Sequence, residues 1–516
     1  MVESLLKRTT PESVGVNPSD LIQLFQYLKN PTLDVHSFMV VRHGYVIAES
    51  WWKPYTSEKR HALFSASKTF TGLAVGFAIQ DGLLSLEDRV VSFFPERLPA
   101  KTCEYMEMIK VRDLLTMTTG FAQDPHDFPW PRPDDVNGIG PHCCHKGIAL
   151  PKIDWIRNFF DHYVAYKPGT EFVYCTHASY MLSCIVQKVT GMTTSAYLNK
   201  KMFEPMGIGD PFWEISPDGC TVGGWGLMLT TEQLAAVGQM LLDQGTFAGQ
   251  RLLSREWVKD ATSVHITLDH LHDPHVAGYG YQIWIDDREK AFSFRGAFGQ
   301  MCLVVPGKDM VLAWTGGTNS EDRADMLVKI WDLFIHRVDC GSSQNVLLNA
   351  QEAVSANKIL AEMLTSMNIP AAAGKPSWQE ERAVKYSEKR YRFGDNRINF
   401  TDISMKFASN PEEHDELTLG LNGKLFTVPV GYNQWLHGYT CVPDEDTDTD
   451  ISVIFHSISC SGAWKDEGYC LVMCFDETSY INTANIIFRD GCLIFRHTRN
   501  LSFYPAVNTV LTGVEV

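Results

Sequence analysis

The sequence predicts a protein of the α/β (α+β) class, in which an antiparallel sheet is flanked by helices, a helical subdomain is attached, and a separate all-β domain follows. Three observations predict it. Strand-like pairs closed by tight turns occur near the start and again near residue 310. Between them, apolar residues recur at helical spacing. After Cys340 the texture changes to short alternating runs broken by turn signals.

The first pair is Ser37 to Arg42 and Tyr45 to Trp51, closed through His43-Gly44. The late pair is Gln300 to Val305 and Met310 to Thr315, joined by Pro306-Gly307-Lys308-Asp309. Behind it, Met326, Leu327, Ile330, Leu333 and Phe334 predict a helix over Arg323 to Arg337. Strands from both ends of one domain, with helices between, imply a single sheet assembled around a helical insert. The middle predicts helices over Phe70 to Leu84, Val111 to Met117, Ser179 to Val189 and Gln233 to Asp243. Proline and histidine concentrate between Asp124 and Ile153, which reads as a long irregular loop of the kind that carries substrate contacts.

Beyond Cys340, Ser342 to Ser366 reads as a helix and Pro370 to Pro376 as a linker. Leu417, Leu419 and Leu421 lead into Asn422-Gly423, a strong hairpin signal. A second hairpin turns at Asp490-Gly491, and Ile451 to Phe455 and Leu471 to Phe475 fit the same scheme. The expected division is a first, sheet-and-helix domain over 1–340 with a helical insert at about 86–219, a helix and linker over 341–376, and a barrel or sandwich over 377–516.

Composition narrows the function classes. Of 516 residues, 45% are hydrophobic and 21% charged, which supplies a large core and excludes a disordered chain. A net charge of −16 repels polyanions, so nucleic acid and anionic membrane surfaces are poor partners. The uncharged stretch from Thr69 to Gln80 falls short of the ~20 residues that span a bilayer. No apolar run follows the basic residues Lys7 and Arg8, so no signal peptide is read. Thirteen irregularly spaced cysteines suit reduced thiols and a cytoplasmic location.

Two segments carry chemistry. In Phe64-Ser65-Ala66-Ser67-Lys68-Thr69, a serine three residues before a lysine at a helix start places both side chains on one face. The helix N-terminus favours a developing oxyanion, and a desolvated lysine can take the proton of a serine nucleophile. An N-cap beside a surface lysine would leave the same trace. The second segment, Pro168-Gly169-Thr170-Glu171-Phe172-Val173-Tyr174-Cys175-Thr176, sets a tyrosine at a loop-to-helix junction, as a proton carrier or as a packed aromatic. His142-Cys143-Cys144-His145 fits no usual zinc spacing and reads as loop packing. Asp124-Pro125-His126-Asp127 is read as shaping the cleft, and Trp130 as loop packing or a pocket cap. Gly278-Tyr279-Gly280-Tyr281 lacks the context of a nucleotide loop, and no cofactor or metal is implied.

Taken together with Val111 to Gly120, Gly223-Gly224-Trp225-Gly226-Leu227 and Phe294-Arg295-Gly296-Ala297-Phe298-Gly299-Gln300, these segments resemble the serine β-lactamase and penicillin-binding-protein-like hydrolases, in particular the branch of class C β-lactamases and family VIII esterases. The likeness covers most of residues 10–338. It implies a β-lactamase-like fold and an acyl-enzyme mechanism with Ser65 as nucleophile, Lys68 as base and Tyr174 as proton relay. It further implies an oxyanion and substrate site formed by Ser65 with Arg295, Gly296, Ala297 and Phe298. The sequence departs from the family pattern twice. Cys175 and Thr176 stand where an asparagine is usual, with Thr176 or His177 as stand-ins, and Arg295-Gly296-Ala297 stands for Lys-Thr-Gly or His-x-Gly. Arg295 either binds a substrate carboxylate or faces solvent.

The expected activity is hydrolysis of a small carboxylic ester or amide. The alternatives are a peptidase or amidase for D-amino-acid or cyclic amides, and a catalytically degenerate ligand-binding protein. The β-domain either roofs the cleft or holds copies of the chain together, so a homo-oligomer stays open.

Overall fold

The computed structural model describes residues 4–124, 154–209, 211–268, 275–338, 350–396, 400–421, 424–440, 456–501 and 509–516. The expected loop at 125–153, with His126, Trp130 and the His142–His145 cluster, lies outside the described residues, as does the strand expected at 451–455. The described residues gather into two compact units, one drawn from positions up to 367 without 52–59, the other from 52–59 and from 368 onward.

The first unit is built on a nine-stranded sheet. Its strands are β1 (Lys7–Arg8), β2 (Val35–Arg42), β3 (Tyr45–Trp51), β4 (Ile266–Thr267), β5 (Val276–Tyr279), β6 (Trp284–Asp286), β7 (Phe292–Gly296), β8 (Gln300–Val305) and β9 (Met310–Gly316). In space they run β1-β3-β2-β9-β8-β7-β6-β5-β4. The early hairpin pairs antiparallel with the late one through β2 and β9, with Leu312 opposite Val40 and Ala313 opposite Met39. Every residue of β2, β8 and β9 is buried, as expected of strands covered on both faces.

Helices α1 (Pro18–Leu28), α2 (Ser67–Gln80), α3 (Thr176–Thr190), α4 (Thr231–Leu242), α5 (Ser320–Leu333) and α6 (Ala350–Thr365) complete its main frame. Helix α2 is buried from Ser67 through Ala78. A helix buried all round needs small residues where neighbours close in: a Cβ on Gly72 would meet the Tyr281 carbonyl oxygen at 2.9 Å. Its polar residues are paired rather than exposed. Thr69 Oγ1 donates to the Gln282 carbonyl at 2.8 Å and Thr71 Oγ1 to that of Gly223 at 2.7 Å. Phe70, Leu73 and Phe77 are fully packed, each contributing about 1.5–3 kcal/mol of apolar burial.

Several helix boundaries differ from the sequence expectation, and two of them have a plain backbone cause. Helix α2 stops at Gln80 rather than Leu84 because Gly82 turns left-handed (φ 74°) and the amides of Gly82 and Leu83 cap the Ile79 and Ala78 carbonyls. The helix expected over 323–337 begins at Ser320 and breaks at Phe334 (φ −135°), leaving a separate 3₁₀ turn at Ile335–Arg337. Helix α4 begins where a capping box fixes it, Thr230 and Gln233 each satisfying the other's amide.

The second unit holds a ten-stranded antiparallel sheet of β10 (Arg390–Phe393), β11 (Phe400–Lys406), β12 (Asp415–Leu421), β13 (Lys424–Val430), β14 (Leu436–Thr440), β15 (His456–Lys465), β16 (Gly468–Phe475), β17 (Ile481–Arg489), β18 (Cys492–Arg499) and β19 (Thr509–Glu515). The spatial order is β13-β12-β11-β10-β19-β18-β17-β16-β15-β14. The Gly431 amide donates to the Cys460 carbonyl and that of Gly462 to Gly431, which brings the two edges together in a near-barrel. The expected hairpins are present: Leu421 faces Lys424, and Arg489 faces Cys492 with Gly491 left-handed. Positions 370–376 are seated rather than loose, since Lys375 and Trp464 exchange both backbone hydrogen bonds.

Candidate active site

Ser65 stands in a single 3₁₀ turn, Phe64–Ala66, that runs into α2. Phe64 is forced into the left-handed region (φ 48°), a conformation that costs a bulky residue about 1–3 kcal/mol. The turn is fixed from outside: the Leu63 amide donates to the Leu227 carbonyl at 2.9 Å, and the Leu227 amide to Ser67 Oγ at 3.1 Å. Across from it, the end of β7 carries a second left-handed aromatic, Phe298 (φ 59°), whose ring meets Phe64 edge-on at 5.3 Å. Gly296 lies against the Leu63 carbonyl so closely that any Cβ there would collide. Third-motif residues 296–298 and the nucleophile turn are therefore packed directly together.

Lys68 follows one helical turn after Ser65 and is 1% exposed. Its Nζ donates to Ser65 Oγ at 3.1 Å and to the Gly224 carbonyl at 2.8 Å. Burial pushes the ammonium down to about 7, against the pull of the nearby Asp124 carboxylate. Near neutral pH a large share of Lys68 is thus a free amine with a lone pair facing a hydroxyl.

Tyr174 is set by the segment before it: the Val173 amide donates to the Met117 carbonyl at 2.9 Å, and that of Cys175 to Met117 Sδ at 3.3 Å. Its phenol lies beside Ser65, and Lys68 Nζ lies 4.9 Å from its ring centroid. Desolvation raises the phenol well above its ordinary value despite the Ser65 contact, so the neutral form prevails. Trp284 stacks on Tyr174 at 5.7 Å and 23°, and the Arg295 guanidinium sits 5.7 Å from the Trp284 centroid. Arg295 Nε donates to Ser293 Oγ at 2.8 Å. Arg295 is thus a half-buried, ring-supported cation rather than a solvent-facing one.

The structure brings Ser65, Lys68 and Tyr174 together and places Gly296, Ala297 and Phe298 beside them. Neither expected stand-in for the missing asparagine takes that part. His177 is fully buried, its Nε2 bound to the Trp155 carbonyl at 3.0 Å among Phe159 and Tyr180, and burial lowers it to about 3. Thr176 offers its amide to Asp124 Oδ2 at 3.2 Å. The second partner of Lys68 is instead the Gly224 backbone. That glycine is required, since a Cβ would meet Thr176 Cγ2 at 2.7 Å. The signal was the glycine pair before Trp225, but a backbone carbonyl leaves no side-chain trace in a sequence. The glycines at 278 and 280 serve close strand packing, Gly278 lying against the Ile266 carbonyl.

A family model described as beta-lactamase matches residues 33–333. Among curated relatives, the 6-aminohexanoate-dimer hydrolase of Paenarthrobacter ureafaciens is 26% identical over 230 residues, 43% of this chain and 56% of the relative. The lovastatin esterase of Penicillium rubens is 28% identical over 167 residues, 29% of this chain and 38% of the relative. The chain thus spans about half or less of the length of these relatives. A solved structure titled "Putative 6-aminohexanoate-dimer hydrolase from Bacillus anthracis" superposes with a TM-score of 0.50 at 18% identity, covering 64% of this chain and 89% of that one. The likeness is one of fold.

Proposed function

The chain belongs to the beta-lactamase family, and on that premise we propose that it is a serine hydrolase cleaving a small carboxylic ester or amide through an acyl-enzyme on Ser65. The observation that carries this reading is the 3.1 Å contact between Ser65 Oγ and a fully buried Lys68 whose charge is disfavoured. A serine hydroxyl is a weak nucleophile until a neighbour accepts its proton as the bond to carbon forms. Lys68 is placed to do that as the neutral amine.

Ser65 Oγ attacks the substrate carbonyl carbon while its proton passes to Lys68 Nζ. Negative charge gathers on the carbonyl oxygen, and the Ser65 amide at the mouth of α2, with an amide from 297–298, would cradle it. Gly296 permits that approach. The leaving oxygen or nitrogen takes a proton from the neutral Tyr174 phenol, which is re-supplied from Lys68. Water then attacks the acyl carbon and gives up one proton through Tyr174 to Lys68, which delivers it to Ser65 Oγ as the bond to serine breaks and the acid departs. The reading as a degenerate binder rested on the missing asparagine, and Lys68 has the Gly224 carbonyl in its place.

The names of the relatives, a dimer hydrolase and an esterase, support an acyl substrate without choosing its leaving group. The described cysteines are free thiols, which supports a reducing, cytoplasmic setting, and no helix among the described residues is long and apolar enough to cross a membrane. The test is pre-steady-state hydrolysis of p-nitrophenyl butyrate. A burst of p-nitrophenol stoichiometric with enzyme, abolished in Ser65→Ala, is expected; turnover unaffected by Ser65→Ala contradicts the assignment.

A further inference from the structure

We propose that Asp124 is a positioning residue for Lys68, its carboxylate locking the Tyr174–Thr176 turn against the lysine. The inference rests on the reading of Lys68 as the base. Asp124 follows Gly120 on the segment beyond α2, and a hydrogen bond to the first turn of α3 places it at the site. Its Oδ2 accepts from the Thr176 amide at 3.2 Å, at the first turn of the fifteen-residue α3. Its charge lies near the Cys175 thiol and favours that thiol's neutral form. Cys175 and Thr176 directly follow Tyr174, and Thr176 Cγ2 packs where a Cβ on Gly224 would be, beside the carbonyl that holds Lys68.

One carboxylate therefore ties together the turn that aims the phenol and the wall that aims the amine. It also adds a negative charge whose field reaches Lys68. The groups facing Lys68 are Ser65 on its own helix, Asp124, Tyr174 and Cys175 from the packed segments, and the neutral Gly224 carbonyl. Tyr174 and Cys175 are both held in their neutral forms by burial. Asp124 is thus the charged neighbour that opposes the desolvation of the lysine, and its acidity cannot be replaced by an asparagine amide even though the amide oxygen can still accept from Thr176.

The expected consequence has a sign. Removing the charge leaves Lys68 with desolvation unopposed, so the amine loses its proton at lower pH. In full-length Asp124→Asn, the acid limb of kcat/KM for p-nitrophenyl butyrate should move down by at least about half a pH unit. Asp124→Glu, which keeps the charge but lengthens its arm, should leave the limb near the wild-type position while lowering kcat. A folded Asp124→Asn with an unmoved limb, or a limb that moves equally in both variants, overturns the proposal. If Asp124→Asn does not fold, Asp124→Glu decides alone, because a displaced limb there contradicts the assignment and a wild-type limb with reduced kcat supports it. The wild-type p-nitrophenol burst separates the two readings: no burst sinks the hydrolase mechanism, whereas a burst with an unmoved limb sinks only the part given to Asp124.

Discussion

The carbonyl oxygen of Gly224 accepts a 2.8 Å hydrogen bond from Lys68 Nζ, which lies 4.9 Å from the Tyr174 ring centroid. A carbonyl aims the amine without the full charge that would lock it as ammonium. Burial then wins over the weaker pull of Asp124, and Lys68 is brought to about 7. A carboxylate at the same spot would restore an ordinary, strongly protonated lysine and remove the base.

Lys68→Met should lower kcat/KM by about 10²- to 10⁴-fold, the usual contribution of a general base. The same change should stabilise the fold. Because the folded-state value lies near 7 and the unfolded one at 10.5, the unfolded chain binds more protons between those limits. The native protein therefore gains stability as pH rises from about 7 toward 10.5 and carries the full cost of the buried charge below that window. Urea unfolding at pH 6 and pH 9 checks this: the methionine variant should exceed the wild type at pH 6, with a smaller gap at pH 9.

The acid limb of kcat/KM should fall near pH 7, since the free enzyme must hold Lys68 as the amine. A profile flat from pH 5.5 to 9 on an uncharged ester would show that no such group limits acylation.

Tyr174→Phe should keep the p-nitrophenol burst, because p-nitrophenolate departs without taking a proton, and lose steady-state turnover by about 10- to 100-fold at deacylation. Loss of the burst itself would assign the phenol to activating Ser65. An unchanged burst and steady state would remove it from the mechanism.

Much of the site was legible in the sequence because its elements leave residue-type traces. The Ser65 and Lys68 spacing follows from helical periodicity, and the early and late hairpins carry alternating apolar runs that only a shared sheet could bury. What escaped was carried by backbone. The Gly224 carbonyl that replaces an asparagine amide has no side-chain signature, and the left-handed φ of Phe64 and Phe298 falls on residues that local propensity would never place there. The part given to Asp124 depends on a fold contact with Thr176, fifty-two positions away. The helix end at Gln80 was visible in hindsight as Gly82, but the apolar Leu83 and Leu84 extended the periodic pattern past it.

Gly296→Ala should cut kcat by about 10²-fold with the global fold retained, because the new methyl collides with the Leu63 carbonyl and pushes the 296–298 amides away from Ser65. Far-UV circular dichroism and steady-state kinetics together check it. Wild-type kcat in a folded variant would place the oxyanion donors elsewhere.

The most direct measurement is intact mass followed by peptide mapping after treatment with a fluorophosphonate. One adduct per chain, carried by the peptide that contains Ser65 and slowed by at least about 10²-fold in Lys68→Met, is the predicted result. An adduct on another residue, or labelling of Ser65 at an undiminished rate without the lysine, would contradict the account.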